Sequence, residues 1–158
     1  MVTGSSHAER WATLAGESEP GRVARMRAIL EEVIALDDAE RSHVIEGMVD
    51  AEYALDEASL RAFTADRLRA WIAISQDNMD GASSLARGYD AAFDKLGATM
   101  AMRRSTVVQT VARHDLAPEE VQALFDLIPS IVRQVPRAAP RTQYYEKPTA
   151  KKPFWKFW

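Results

Sequence analysis

The chain has 158 residues, 20 Lys and Arg against 23 Asp and Glu, and a net charge of −3. That length suits one domain able to bury about two-thirds of its unfolded surface without a covalent staple. Absence of cysteine excludes disulfides, zinc ribbons, thiolate iron–sulfur centres and cysteine nucleophiles, and no run of about 18 apolar residues is present to span a membrane as a helix.

In chain order, Ser6-His7-Ala8-Glu9 has capping-box spacing. It predicts a short helix to about Ala15, with Trp11 and Leu14 on its apolar side, inside an otherwise flexible segment 1–21 that closes on the linker GESEPG. Val23, Met26, Leu30 and Val33 recur at intervals of 3, 4 and 3, which is helical spacing. Asp37 with Glu40 opens the next helix, to about Leu55, with Ile45, Met48, Val49 and Leu55 on one face. Asp56 caps a third, 57–75, carrying Leu60, Phe63, Leu68, Trp71 and Ile74 on one side. Joined with a bend, these two segments would also read as one long helix.

Past SQDNMDG, Tyr89, Phe93, Leu96, Met100, Arg103, Val107, Thr110 and His114 alternate at 4 and 3. This heptad seam predicts one helix over 82–114, roughly 50 Å long, as the spine of a bundle or one side of a coiled coil. Pro118 suits the first position of a last helix, with Glu119 and Glu120 in its first turn. Its stripe runs through Val121, Leu124, Phe125, Ile128, Val132 and Val135, with a kink or break expected at Pro129. No period-two run predicts a strand. The expected fold is an all-α bundle of four to five helices over 22–135, followed by an extended tail, 136–158.

Charge divides along the same boundary. Segment 136–158 holds six basic residues against Glu146 alone, a net +5, while 1–135 holds 14 basic and 22 acidic residues, a net −8. A body at −8 repels phosphate backbones and argues against nucleic-acid binding.

Few residues offer chemistry. Glu40 and His43 have the Glu-x-x-His spacing of di-iron bundles, but on the wheel that turns Ile45 and Val49 inward they face water, as do the neighbouring Glu46 and Asp50. No second such pair occurs, so neither metal nor cofactor is expected. Glu52 and Arg67 fall on apolar stripes of consecutive helices. A buried charge left alone costs several kcal/mol, so the two are expected to meet as an ion pair in or beside the core. Arg103 and His114 on the predicted seam raise the same question, Arg103 seeking a carboxylate of another helix or a second subunit. The three histidines, His7, His43 and His114, assemble no Ser/His/Asp arrangement.

The tail concentrates the unusual residues. It holds Pro136, Pro140, Pro148 and Pro153 and no aliphatic residue larger than alanine, which predicts an extended chain. It ends in Phe154, Trp155, Lys156, Phe157 and Trp158, behind Lys151 and Lys152. Four such rings would bury about 600–1,000 Å², close to one partner's share of a standard interface. Three receivers stay open: a groove of the chain's own bundle, another protein or a second copy, and an anionic membrane surface. The expected role is a non-enzymatic adaptor, scaffold or accessory subunit, cytoplasmic or peripheral at the inner face of a membrane. Phe154, Trp155, Phe157 and Trp158 are its anchors, and Lys151, Lys152 and Lys156 steer them. A small ligand-binding or enzymatic bundle using Glu52 and Arg67 with Tyr53 or His114 is the alternative. A helical homo-oligomer with swapped tails is a further one.

Overall fold

The computed structural model describes residues 6–17 and 20–127. Among them the chain is all-α: α1 His7–Thr13, a 3₁₀ turn Leu14–Gly16, α2 Arg22–Ile34, α3 Asp38–Tyr53, α4 Glu57–Asp77, α5 Met79–Asp94, α6 Ala98–His114 and α7 Pro118–Leu127. These are seven helices rather than the four or five expected. The tail lies outside the described residues, as do the Pro129 break and the end of the last stripe. No described helix is long and apolar enough to cross a membrane.

Two features account for the extra helices, the first of them a correction. The predicted spine 82–114 is two helices, divided at Lys95–Gly97, where Gly97 takes a φ of 87° that a residue with a Cβ adopts only under strain. The heptad seam does not survive that break. Tyr89, Phe93 and Val107 are buried, but Leu96 and His114 are exposed. The other is α1, the short helix expected behind Ser6, with Trp11 and Leu14 buried as its apolar side. It packs on α3 and α2, and Trp11 is 0 % exposed, so residues 6–17 are part of the bundle. At Gly47 on α3 an added Cβ would lie 3.1 Å from the Ala8 Cβ, so the missing side chain sets how closely α1 approaches.

Capping residues set the other boundaries. Asp37, Asp56 and Asn78 accept hydrogen bonds from the backbone N–H of Glu40 (2.9 Å), Ser59 (2.8 Å) and Gly81 (2.9 Å). The cap at Asp56 separates α3 from α4, so they are not one bent helix. Ser6 does the same for α1, accepting from the Glu9 N–H at 3.1 Å.

The true spine is α4, which packs against α2, α5, α6 and α7. Its residues from Phe63 to Leu68 are buried without interruption. A helix covered on most of its sides loses its polar face, which forces Thr64, Asp66 and Arg67 inside.

Arginines close the chain reversals. Arg41 donates to the carbonyls of Ile34 (3.0 Å) and Leu36 (2.5 Å) after α2, Arg103 to those of Tyr53 (2.6 Å) and Leu55 (2.9 Å) after α3, and Arg69 to that of Asp115 (2.6 Å) after α6. Arg22 donates to the Glu17 carbonyl (2.8 Å) ahead of α2. Helix C-termini leave orphan carbonyls, and here guanidinium groups satisfy them.

Candidate functional site

Glu52 lies on the buried side of α3 with Met48, Val49 and Tyr53, and Arg67 on α4 faces it. Their Oε1 and Nε atoms are 3.1 Å apart, at 1 % and 2 % exposure. The second carboxylate oxygen accepts from Trp11 Nε1 at 2.9 Å and from the Tyr89 hydroxyl at 3.1 Å. Four segments thus converge on one carboxylate. The Arg67 guanidinium carbon lies 5.1 Å from the Trp71 ring centre and 4.9 Å from that of Tyr89, so it is held against two aromatic faces.

The electrostatics follow from burial. Tyr89 is pushed well above its ordinary pKa, by burial first and by the Glu52 charge second. Tyr53 is pushed up to about 12 by burial, with Arg67 pulling the other way. Burial works against the Arg67 charge, but Glu52 and the two tyrosines outweigh it and its pKa is raised. Both oxygens of the carboxylate are engaged. The Tyr53 hydroxyl, Thr64 Oγ1 and Trp71 Nε1 are buried with no hydrogen-bond partner among the described residues.

A second buried pair, Arg22 and Asp66 at 2.8 Å, joins α2 to α4, and the Arg22 guanidinium lies 5.4 Å from the Phe63 ring centre. Sequence reasoning missed it. The available signal was Asp66 next to Arg67 in the stretch FTADRLRAW, where a covered helix has no polar side to offer. The sequence pattern marks Trp11 only as an apolar residue; nothing local signals that its indole N–H donates to Glu52, 41 residues away.

His114 sits apart from Glu52. It is exposed at the end of α6, in an open surface cleft of about 560 Å³ whose walls include Arg22, Arg61, Arg69 and Asp115. The cleft's guanidinium groups are engaged: Arg61 holds Asp115 through two 2.8 Å bonds, and Arg69 reaches Glu120 at 3.2 Å. Arg61 in turn holds the Asp115 carboxyl below the usual carboxylate range.

The other expected residues separate. Glu40, His43 and Asp50 are exposed on α3, and no group of three His, Cys, Asp or Glu among the described residues is arranged to hold a metal ion. Arg103 finds backbone carbonyls, with Glu57 at 3.5 Å, and it is Arg104 that is buried, paired with Asp90 at 2.9 Å. Phe154, Trp155, Phe157, Trp158, Lys151, Lys152 and Lys156 lie outside the described residues. No protein-family model, curated protein or solved structure matches this chain.

Proposed function

We propose that this protein is a non-enzymatic interaction module, a rigid helical body attached through its C-terminal aromatic tail to a protein assembly or to the inner face of a membrane. The observation that carries the reading is how the buried Glu52 centre is used. Glu52, Arg67, Trp11 and Tyr89 are turned on one another, and chemistry on a substrate needs groups turned toward a reacting atom. Such a centre fixes the packing of α1, α3, α4 and α5. Tyr53 and His114, the other members of a catalytic alternative, stand in different surroundings, one buried and one in an open cleft.

The tail supplies the attachment. Its last eight residues, KKPFWKFW, combine four rings that gain by leaving water with three cations that speed encounter with an acidic surface. The test compares the full chain with a full-length variant in which Phe154, Trp155, Phe157 and Trp158 are each replaced by Ser. The readouts are flotation with anionic vesicles and crosslinking in cell extract. The expected result is loss of attachment with an unchanged melting temperature. Equal attachment of both chains overturns the reading.

A further inference from the structure

We infer that the outer face of α6 is a self-association surface, on which a second copy of this chain lays its own α6 in the antiparallel sense. The inference is independent of the tail. Between residues 98 and 112 the only charged side chains are Arg103 and Arg104; Arg104 is buried, and Arg103 stays at the edge of the outer face, where it lines a cleft with Glu57 and Arg61 of α4 beside Thr106. Arg103 turns to the carbonyls of Tyr53 and Leu55, and Arg104 is buried against Asp90. The exposed positions are Ala98, Thr99, Ala101, Met102 and Thr106, with Gln109 half-buried beside them.

The other long helices differ. Each of α2, α3, α4 and α5 shows at least three exposed charged side chains, for example Arg25, Glu31 and Glu32 on α2. Met102, at 70 %, is the most exposed of the large apolar side chains described. Depletion of charge with methionine at the centre is the composition of an interface core, and exposed apolar surface bounded by polar residues marks an interaction site.

Spacing and charge name the occupant. Thr99, Met102, Thr106, Gln109 and Arg113 follow at 3, 4, 3 and 4, the seam that packs a helix against a helix. Small neighbours at Ala98 and Ala101 let the two backbones approach. A two-fold interface sets one patch against itself. The uncharged run of the seam from Thr99 to Gln109 tolerates that, whereas the charged faces of the other helices would meet their like.

The ends of the helix choose the direction. Arg113 and His114 occupy the last turn of α6, and just before its start exposed Asp94 stands beside Lys95, whose charge is met by Glu46, with Asp50 close by. Antiparallel pairing brings the basic end of one copy to the acidic corner of the other, while parallel pairing would stack Arg113 on Arg113. A single helix pair about 25 Å long falls at the small end of specific interfaces, so the dimer is weak and reversible.

Sedimentation equilibrium of the full chain, from micromolar to near-millimolar concentration, tests this. The mass should climb from one protomer toward two. Met102→Glu should raise the dissociation constant by more than about tenfold and leave the melting curve unchanged, as its exposure requires. Gln122→Glu, exposed on α7, should associate like the parent, and so should the variant with serine at the four tail aromatics. A parent that stays monomeric overturns the inference, as does a Met102→Glu chain that dimerises normally. Loss of association in the tail variant also overturns it, by making the tail rather than α6 the contact.

Discussion

Glu52 and Arg67 place full charges where the solvent reaches 1 % and 2 % of the residue, whereas the outer face of α6 places a stripe uncharged from Thr99 to Gln109 in water, with Met102 70 % exposed. Both reverse the usual distribution, and a buried polar group or an exposed apolar one carries more information than the reverse. The reasons differ. In the core, the carboxylate of the ion pair is completed by Trp11 and Tyr89, within the chain. On α6 nothing in the chain's described residues completes the surface. A polar anomaly that finds all its partners within one chain points to architecture, and an apolar one that finds none points outward.

The comparison breaks first at Glu52. Glu52→Ala strands the Arg67 charge among aromatic rings and frees two buried donors, and removing one partner of a buried pair costs about 3–5 kcal/mol. Thr106→Glu, on the α6 face, should move the stability of the monomer by no more than about 0.5 kcal/mol. Urea denaturation at low protein concentration measures both. Equal effects would mean that the core pair holds nothing together. Replacing the pair by apolar residues, Glu52→Leu with Arg67→Met, should recover most of the loss, since a buried pair and a well-packed apolar pair are often close to equivalent.

A smaller change sharpens the role of α1. Seven residues cannot sustain a helix alone in water, so α1 depends on Trp11, whose ring packs edge-on to Phe63 with centres 5.4 Å apart. Trp11→Phe keeps a ring there and removes the N–H that Glu52 accepts. A hydrogen bond to a charged group contributes about 1.5–3 kcal/mol, and the loss should appear as faster amide exchange across His7–Thr13, ahead of global unfolding. Unchanged exchange would show that apolar burial alone seats the helix.

Much of this was legible in the sequence. The caps at Ser6, Asp37 and Asp56 and the proline at 118 mark helix starts because capping is local: the acceptor and its N–H lie three residues apart. The meeting of Glu52 and Arg67 was legible because each interrupts an apolar stripe. The seam through 89–114 misled because periodicity reports which side of a helix is apolar and not whether the helix is continuous. A backbone break at Gly97 costs the pattern nothing. Trp11 was illegible as a donor because its partner is 41 residues away, and the Arg22–Asp66 pair because neither residue breaks a stripe on its own. Both depend on α4 being covered on most sides, a property of the assembled bundle.

The gentlest test sets the two buried tyrosines against each other. The Tyr89 hydroxyl donates a hydrogen bond to Glu52, whereas the Tyr53 hydroxyl has no partner among the described residues. Unfolded tyrosine ionises near 10, while burial holds Tyr53 to about 12 and Tyr89 well above its ordinary value. Both therefore keep protons that the unfolded chain gives up. Their contribution is fully present below about pH 10; that of Tyr53 is lost as pH rises toward 12, and that of Tyr89 declines in the same direction. Tyr53→Phe removes an unpaired buried hydroxyl, so at neutral pH it should change stability by less than about 1 kcal/mol, in the favourable direction. It should also make the alkaline decline shallower. Tyr89→Phe should destabilise at neutral pH by leaving a Glu52 oxygen short of a donor. Denaturation midpoints at neutral and alkaline pH separate the two. If both variants behave alike, the carboxylate does not distinguish its tyrosine donor from the tyrosine beside it, and the Tyr89–Glu52 hydrogen bond is not what holds the core.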